Sequence, residues 1–121
     1  MIYLIDDDKS VRRAFGVFLK SAGFEYKSLE SAEEFLSMFK PQLEDLIILD
    51  INMPGMNGCE LLKKFMNEDI FVSVIVVTAF DEQKYRDCCR EYGVVAYLRK
   101  PVDGEALVDL IKYNQEIKKS S

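Results

Sequence analysis

Polar side chains follow four apolar stretches of this sequence, at the points where buried strands would end. Asp50 directly follows the run LIIL at 46–49, and three aspartates at 6–8 follow the run IYLI. Thr78 ends a run rich in β-branched residues, and Lys100 comes just after another short apolar stretch. Ligands of open α/β sheets bind beyond the carboxyl ends of the strands. If these runs are parallel strands, the sequence predicts a single site that combines acids, a hydroxyl and an ammonium.

This combination of groups favours phosphoryl chemistry assisted by a metal ion. Carboxylates crowded at the end of a buried sheet repel one another unless a cation lies among them. Mg²⁺ suits such a place because it binds carboxylate and carbonyl oxygens and shares phosphates. Lys100 adds a positive charge that can hold a phosphate oxygen, and Thr78 adds a hydroxyl donor. Asp50 can then act as a nucleophile that forms an aspartyl phosphate.

Apolar runs alternate with amphipathic stretches along the chain, which predicts an α/β fold. The predicted strands are residues 1–5, 24–29, 46–49, 71–78 and 94–98. Helical spacing of apolar residues and capping residues predict helices at 9–22, from 31 to just before Pro41, at 58–67, 81–92 and 103 to about 117. Asp8, Ser31, Asp81 and Asp103 are the predicted N-terminal caps. This order predicts a single domain whose parallel sheet is covered by helices on both faces.

Composition narrows the class of function further. The net charge of −5 argues against binding of nucleic acid or of an anionic membrane by this chain. The absence of histidine excludes an internal phosphohistidine and histidine-ligated zinc. No apolar run approaches transmembrane length and the first residues do not resemble a signal peptide, so a cytoplasmic location is expected. The odd count of three cysteines does not predict a disulfide framework, and Cys59 is interpreted as a packing residue of the third helix.

Four motifs together resemble the receiver domain of bacterial two-component response regulators. They are LIDDDKSVR at 4–12, LDINMPGMNGCELL at 49–62, VIVVTAF at 74–80 and YLRKP at 97–101. Each motif alone is weak, whereas their order and spacing are specific. The resemblance implies a flavodoxin-like (βα)5 doubly wound parallel sheet with strand order 2-1-3-4-5. It implies a receiver domain over residues 1–117, with 118–121 as a tail or the start of a linker.

The resemblance also assigns roles to individual residues. Asp50 would be the phosphoacceptor, and Lys100 would contact the phosphoryl group. Its peptide bond to Pro101 would be cis. Mg²⁺ would be held by the carboxylates of Asp7 and Asp50, by Asp6 either directly or through water, and by the backbone carbonyl of Asn52. Thr78 would move toward the phosphoryl oxygen, and Tyr97 would turn inward as the aromatic partner of that switch. Phe80 and Asn52 occupy positions that tune dephosphorylation in the family.

A phosphorylation-controlled signalling switch is therefore the leading hypothesis. The phosphoryl donor would be a sensor histidine kinase or a phosphotransfer protein, and the fourth helix, fifth strand and fifth helix would change their surface to control an output or a homodimer. No turnover of an external substrate is expected. One alternative is a Mg²⁺-dependent phosphohydrolase, which would require a second acid where this chain has Asn52. The other is a degenerate receiver that serves only as an interaction module.

Overall fold

The structure, a computed structural model, describes residues 1–120. In this part of the chain five strands alternate with five helices. The strands are β1 (Ile2–Ile5), β2 (Tyr26–Leu29), β3 (Leu46–Asp50), β4 (Ser73–Thr78) and β5 (Ala96–Arg99). The helices are α1 (Lys9–Ser21), α2 (Ala32–Met38), α3 (Gly58–Asn67), α4 (Gln83–Tyr92) and α5 (Gly104–Ser120).

The strands form one parallel sheet in the order β2-β1-β3-β4-β5, which confirms the predicted fold. The register pairs Ile5 with Leu49 and Thr78 with Arg99. The last residues of β1, β3, β4 and β5 therefore lie at one edge of the sheet. All the polar groups that follow these strands in the sequence are carried to this carboxyl edge.

Two apolar layers cover the sheet, and their composition explains why β3 is apolar throughout. Ile47 and Leu49 pack with α2, α3 and α4 on one face, whereas Leu46 and Ile48 pack with α1 and α5 on the other. A central parallel strand buries both of its faces, so an uninterrupted apolar run is the expected sequence. The same burial encloses the carboxylate of Asp50, which is only 4% exposed at the end of the strand.

Most element boundaries agree with the predictions, but β2, β4 and β5 each begin two residues later than predicted. Local contacts account for the later starts of β4 and β5. β4 begins at Ser73 because the Tyr92 hydroxyl accepts from the backbone N–H of Val72 and donates to its carbonyl, both at 2.9 Å. β5 begins at Ala96 because α4 ends in a left-handed Gly93, with φ of 86°, followed by a bond from the Val94 N–H to the Cys89 carbonyl.

The prediction that Asp81 caps α4 is wrong. The N-cap residue is Glu82, and its side chain makes no capping hydrogen bond. The Asp81 carboxylate instead accepts hydrogen bonds from the guanidinium of Arg86 and from the hydroxyl of Tyr97. Because Arg86 and Tyr97 bind the Asp81 carboxylate, it is not available to cap the N-terminus of α4.

The last helix extends further than predicted. α5 runs to Ser120, so residues 118–120, expected to be a tail or the start of a linker, continue the helix. Lys118 Nζ donates to the carbonyls of Leu43 and Asp45, at 3.2 and 3.0 Å, which fastens the end of the helix to the loop before β3. Ser121 lies outside the described residues. Within residues 1–120, no helix is both long enough and apolar enough to span a bilayer.

Cys59 packs against the core as interpreted, but it is not a packing residue alone. Cys59 on α3 and Cys88 on α4 form a disulfide, with their Cα atoms 5.9 Å apart. Cys89 is free and buried, as a packing residue should be. The bond was missed because it depends on which faces of two helices meet, and neither the odd count nor the spacing of the cysteines reveals that.

Candidate functional site at the carboxyl edge of the sheet

Three carboxylates meet at the ends of β1 and β3. One oxygen each from Asp6, Asp7 and Asp50 lies within 4.8 Å of the others. Asp6 is fully buried and Asp50 nearly so, whereas Asp7 is exposed to solvent. The pairing of Ile5 with Leu49 accounts for this geometry, since it places the residues that follow these two side by side. The sequence prediction that these acids converge agrees with this arrangement.

Lys100 enters the same cluster from the end of β5. Its Nζ lies 2.8 Å from Oδ2 of Asp6 and 3.7 Å from Oδ2 of Asp50. Its backbone N–H donates to the Thr78 carbonyl at 2.8 Å, and the peptide bond to Pro101 is cis, as the resemblance implies. The ammonium is thus held between two buried carboxylates and partly neutralises them.

The environment of Asp50 raises the pKa of its carboxyl group from 3.8 to about 7. Burial is the largest cause, and the charge of Asp6 adds to it. The ammonium of Lys100 and the Asn52 N–H, which donates to Oδ1 at 3.3 Å, lower the pKa but do not cancel these effects. A further cation beside Asp50 would therefore be bound favourably, because it would offset charge that the protein leaves uncompensated.

The chemistry of this donor set fits Mg²⁺. Three carboxylates from two neighbouring strand ends offer hard oxygen ligands, and the exposure of Asp7 leaves room for water molecules on the ion. Asn52 is exposed and directly follows Ile51 at the edge of the cluster. Its carbonyl is the further ligand that the resemblance implies.

The loop between β3 and α3 is held against Asp50 by close backbone contacts. The Gly58 N–H donates to the Ile51 carbonyl at 2.9 Å. A Cβ on Gly58 would lie 2.8 Å from Ile51 Cα and 3.1 Å from the Asp50 carbonyl oxygen, so only glycine fits here. Glu33 on α2 accepts a hydrogen bond from the Met56 N–H at 3.1 Å and holds the middle of the loop.

Two residues that the sequence reasoning missed support the acid cluster. Arg12 Nη1 donates to the backbone carbonyl of Asp6 at 2.6 Å, and Glu33 holds the loop as described. Asp8 caps α1 as predicted, by accepting from the N–H groups of Ser10 and Val11. Arg12 lies within the motif at 4–12, four residues after the Asp8 cap, and this position was the available sequence signal for it.

Thr78 ends β4 and Tyr97 is the second residue of β5, and their side chains are not hydrogen-bonded to each other. The buried Thr78 hydroxyl donates to the Phe80 carbonyl at 2.9 Å and accepts from the Phe80 N–H at 3.0 Å. The Tyr97 hydroxyl donates to Asp81 Oδ1 at 3.2 Å, and burial raises the pKa of Tyr97 to about 12. The hydrogen-bond partners of Thr78 and Tyr97, which are Phe80 and Asp81, therefore lie next to each other in the chain.

The five-stranded parallel sheet, with acids and a lysine at its carboxyl edge, is the arrangement of a receiver domain. Sequence comparison identifies the family. The profile described as the response regulator receiver domain matches residues 2–112. The chain therefore belongs to the response regulator receiver family of two-component systems.

Individual relatives agree with this assignment. The chain is 32% identical over 110 residues to the response regulator protein FleR of Pseudomonas aeruginosa, covering 91% of this chain and 23% of FleR. It is 31% identical over 111 residues to the transcriptional regulatory protein FixJ of Azorhizobium caulinodans, covering 92% of this chain and 53% of FixJ. A CheY-like receiver domain from Methanospirillum hungatei has a TM-score of 0.88 at 27% identity, with 98% of this chain and 95% of that chain covered. The chain thus spans about a quarter to a half of the length of these two curated relatives.

Proposed function

We propose that this domain is a phosphorylation-controlled switch that accepts a phosphoryl group on Asp50 in a Mg²⁺-dependent reaction. The observation that carries the proposal is the meeting of Asp6, Asp7 and Asp50 with the ammonium of Lys100 at the carboxyl edge of the sheet. A buried nucleophile, ligands for a hard cation and a second positive charge are the parts that phosphoryl transfer to a carboxylate requires.

Each side chain has a defined part in the proposed reaction. An oxygen of Asp50 attacks phosphorus and forms the acyl phosphate bond, while the bond to the leaving group breaks and its electrons leave with that group. Lys100 releases part of its contact with Asp50 and holds a phosphoryl oxygen. The Thr78 hydroxyl exchanges its bonds with Phe80 for a bond to another phosphoryl oxygen. When bound by Asp6, Asp7, Asp50 and the Asn52 carbonyl, Mg²⁺ would neutralise charge that develops on the phosphoryl oxygens.

The proposed signal is a change of the surface formed by α4, β5 and α5. Movement of Thr78 toward the phosphoryl group breaks both of its bonds to Phe80, which frees the segment that positions Asp81 beside Tyr97. Tyr97 can then turn inward, and the equilibrium between two arrangements shifts. The altered surface would control an output partner, an output domain or a homodimer.

The proposed partners follow from the composition and from the relatives. The chain has no histidine, so another molecule would supply the phosphoryl group. Membership of the receiver family makes a sensor histidine kinase or a phosphotransfer protein in the cytoplasm the proposed donor. The net charge of −5 favours protein partners over direct binding of nucleic acid or a membrane by this domain. Several relatives are DNA-binding transcriptional regulators, so the proposal includes an output of that kind in a longer protein.

Labelling by acetyl phosphate tests the proposed function. Intact-mass measurement is expected to show the addition of one phosphoryl group in the presence of Mg²⁺ and none after the metal is removed with EDTA. The Asp50→Asn variant should remain unlabelled under all conditions, because its amide is not a nucleophile. Undiminished labelling of that variant, or labelling that ignores Mg²⁺, would show that the site is assigned wrongly.

A phosphohydrolase would use the same nucleophile in a turnover reaction, and the two functions are separable. Position 52 carries an exposed asparagine rather than the general acid that such an enzyme requires. We therefore propose that the domain turns over no external substrate. With small phosphate esters and Mg²⁺, the protein should release no more phosphate than the Asp50→Asn variant does, whereas sustained release by the unmodified protein alone would favour the hydrolase.

Phe80 is expected to lengthen the lifetime of the phosphorylated state. Its backbone N–H and carbonyl are hydrogen-bonded to the Thr78 hydroxyl, and its large side chain, two residues beyond Thr78, is 58% exposed. A Phe80→Ala variant should lose the phosphoryl group several-fold faster, because water reaches phosphorus more easily. The decay of the label after removal of acetyl phosphate measures this rate. Phe71→Ala, a similarly exposed phenylalanine just before β4, is the matched control and should decay at the normal rate.

A further inference from the structure

The disulfide between Cys59 and Cys88 joins the helix that begins at the phosphorylation loop to the helix next to the proposed switch. We propose that this cysteine pair is a reversible thiol–disulfide site whose oxidised form holds α4 against α3 and so limits the response of α4 to phosphorylation. The second half of this proposal rests on the proposed function. The first half, a reversible bond that restrains α4, does not.

One end of the disulfide lies on a rigid part of the candidate site. Cys59 directly follows Gly58, whose backbone packs against Ile51 and the Asp50 carbonyl too closely for any side chain. The first turn of α3 is also held by a reciprocal cap, in which Asn57 and Glu60 each accept from the other's backbone N–H. Cys59 is therefore fixed relative to the phosphoacceptor strand.

The other end lies on a helix whose start is attached to the switch residues. Arg86, two residues before Cys88, binds the Asp81 carboxylate that also accepts from Tyr97. A rearrangement of Thr78, Asp81 and Tyr97 thus acts on the N-terminal half of α4. Cys88 lies two residues after Arg86, at the middle of α4. A bond from Cys88 to fixed Cys59 therefore opposes displacement of the helix.

The cysteine pair can be reached by a small thiol, and its reduced form has a hydrogen-bond partner. Both residues are half-buried and line a cleft of about 220 Å³ between α3 and α4. Lys63, Glu60 and Glu91 also line the cleft, so it is polar and open to a small thiol in water. Cys88 Sγ lies 3.2 Å from the Tyr85 carbonyl oxygen, so the reduced thiol can donate there.

Glutathione disulfide is the oxidant class that balances the reaction. One cysteine thiolate attacks a sulfur of glutathione disulfide, which forms a mixed disulfide and releases one glutathione thiolate. The second cysteine thiolate then attacks the protein sulfur of that mixed disulfide and releases the second glutathione thiolate. Two electrons pass from the protein to glutathione, and the two cysteine protons end on the two released thiols. A dithiol reverses both steps.

Alkylation and amide hydrogen exchange test the proposal on the intact chain. After treatment with glutathione disulfide, iodoacetamide under denaturing conditions should label one of the three cysteines, and after dithiothreitol it should label all three.

Without phosphorylation, amides of α4 should exchange more slowly in the oxidised form. With acetyl phosphate and Mg²⁺, the change in α4 exchange should be at least about fivefold larger in the reduced form, the lower range of ordinary coupling between sites. Cys59→Ser and Cys88→Ser should show the reduced behaviour under both treatments.

Cys89→Ala is the matched control because Cys89 is adjacent, buried and unpaired, and this variant should keep the redox sensitivity. Loss of sensitivity in Cys89→Ala, three reactive cysteines after oxidation, or equal α4 exchange in the two redox forms would overturn the proposal. If acetyl phosphate labels neither form, the proposed function fails. The restraint of α4 is then still decided by the exchange of the unphosphorylated protein.

Discussion

A Lys100→Met variant is expected to lose about 3 kcal/mol of unfolding free energy at pH 8 without metal, because breaking a buried ion pair leaves uncompensated charge. The ammonium lies 2.8 Å from Asp6 and 3.7 Å from Asp50, and its side chain is only 17% exposed. Methionine keeps most of the length and apolar volume of lysine, so the loss reports the charge. Chemical denaturation at pH 8 in EDTA measures it.

Two conditions should reduce this loss of unfolding free energy, because each weakens the repulsion between the carboxylates of Asp6 and Asp50. At pH 5 Asp50 becomes protonated, because its pKa is already raised and removal of Lys100 raises it further. Saturating Mg²⁺ replaces the missing positive charge. Lys112→Met, an exposed lysine on α5, is the control for loss of one surface charge. Equal stability of the two variants at pH 8 would contradict the electrostatic role given to Lys100.

Asp50→Asn is expected to have the opposite effect on stability. The pKa of Asp50 is raised in the folded protein to about 7 from 3.8. The folded state therefore binds more protons than the unfolded state between these values, so stability falls as pH rises through this window and the full cost is present above pH 7. Asparagine removes that cost. The variant should be more stable than the unmodified protein by on the order of 2 kcal/mol at pH 8 in EDTA and nearly equal to it at pH 4.

Denaturation curves between pH 4 and 8.5 measure this difference. The exposed Asp109→Asn on α5 changes the net charge equally and should give a much smaller effect. Mg²⁺ should stabilise the unmodified protein and have less effect on Asp50→Asn, which has lost one ligand. If Asp50→Asn is less stable than the unmodified protein at pH 8, the ionised Asp50 carboxylate does not destabilise the metal-free fold.

The fold and the acid cluster were predictable because they depend on patterns that the sequence shows directly. Five apolar runs that alternate with amphipathic stretches imply a parallel sheet, and a parallel sheet brings its strand ends together. Asp50, Thr78 and Lys100 are separated by more than twenty residues from one another, yet each directly follows or ends a strand. Their convergence follows from the topology alone.

The features that were missed depend on which side chains meet across the surface. Asp81 has the sequence of a helix cap, but Arg86 and Tyr97 take its carboxylate. Cys88 and Cys89 are neighbours in sequence, and their side chains differ in direction by about 100° around the helix, so one meets α3 and the other enters the core. Neither outcome follows from periodicity, because each depends on the rotation and spacing of packed helices.

The most direct test of the central claim is to locate the phosphoryl group on the chain. After reaction with acetyl phosphate and Mg²⁺, reduction by borohydride converts an aspartyl phosphate to homoserine, which peptide mass spectrometry can place. The account predicts homoserine at position 50 alone, and none when EDTA is present or when Asp50 is replaced by asparagine. Homoserine at Asp6 or Asp7 with Asp50 intact, or none at any position, would contradict it.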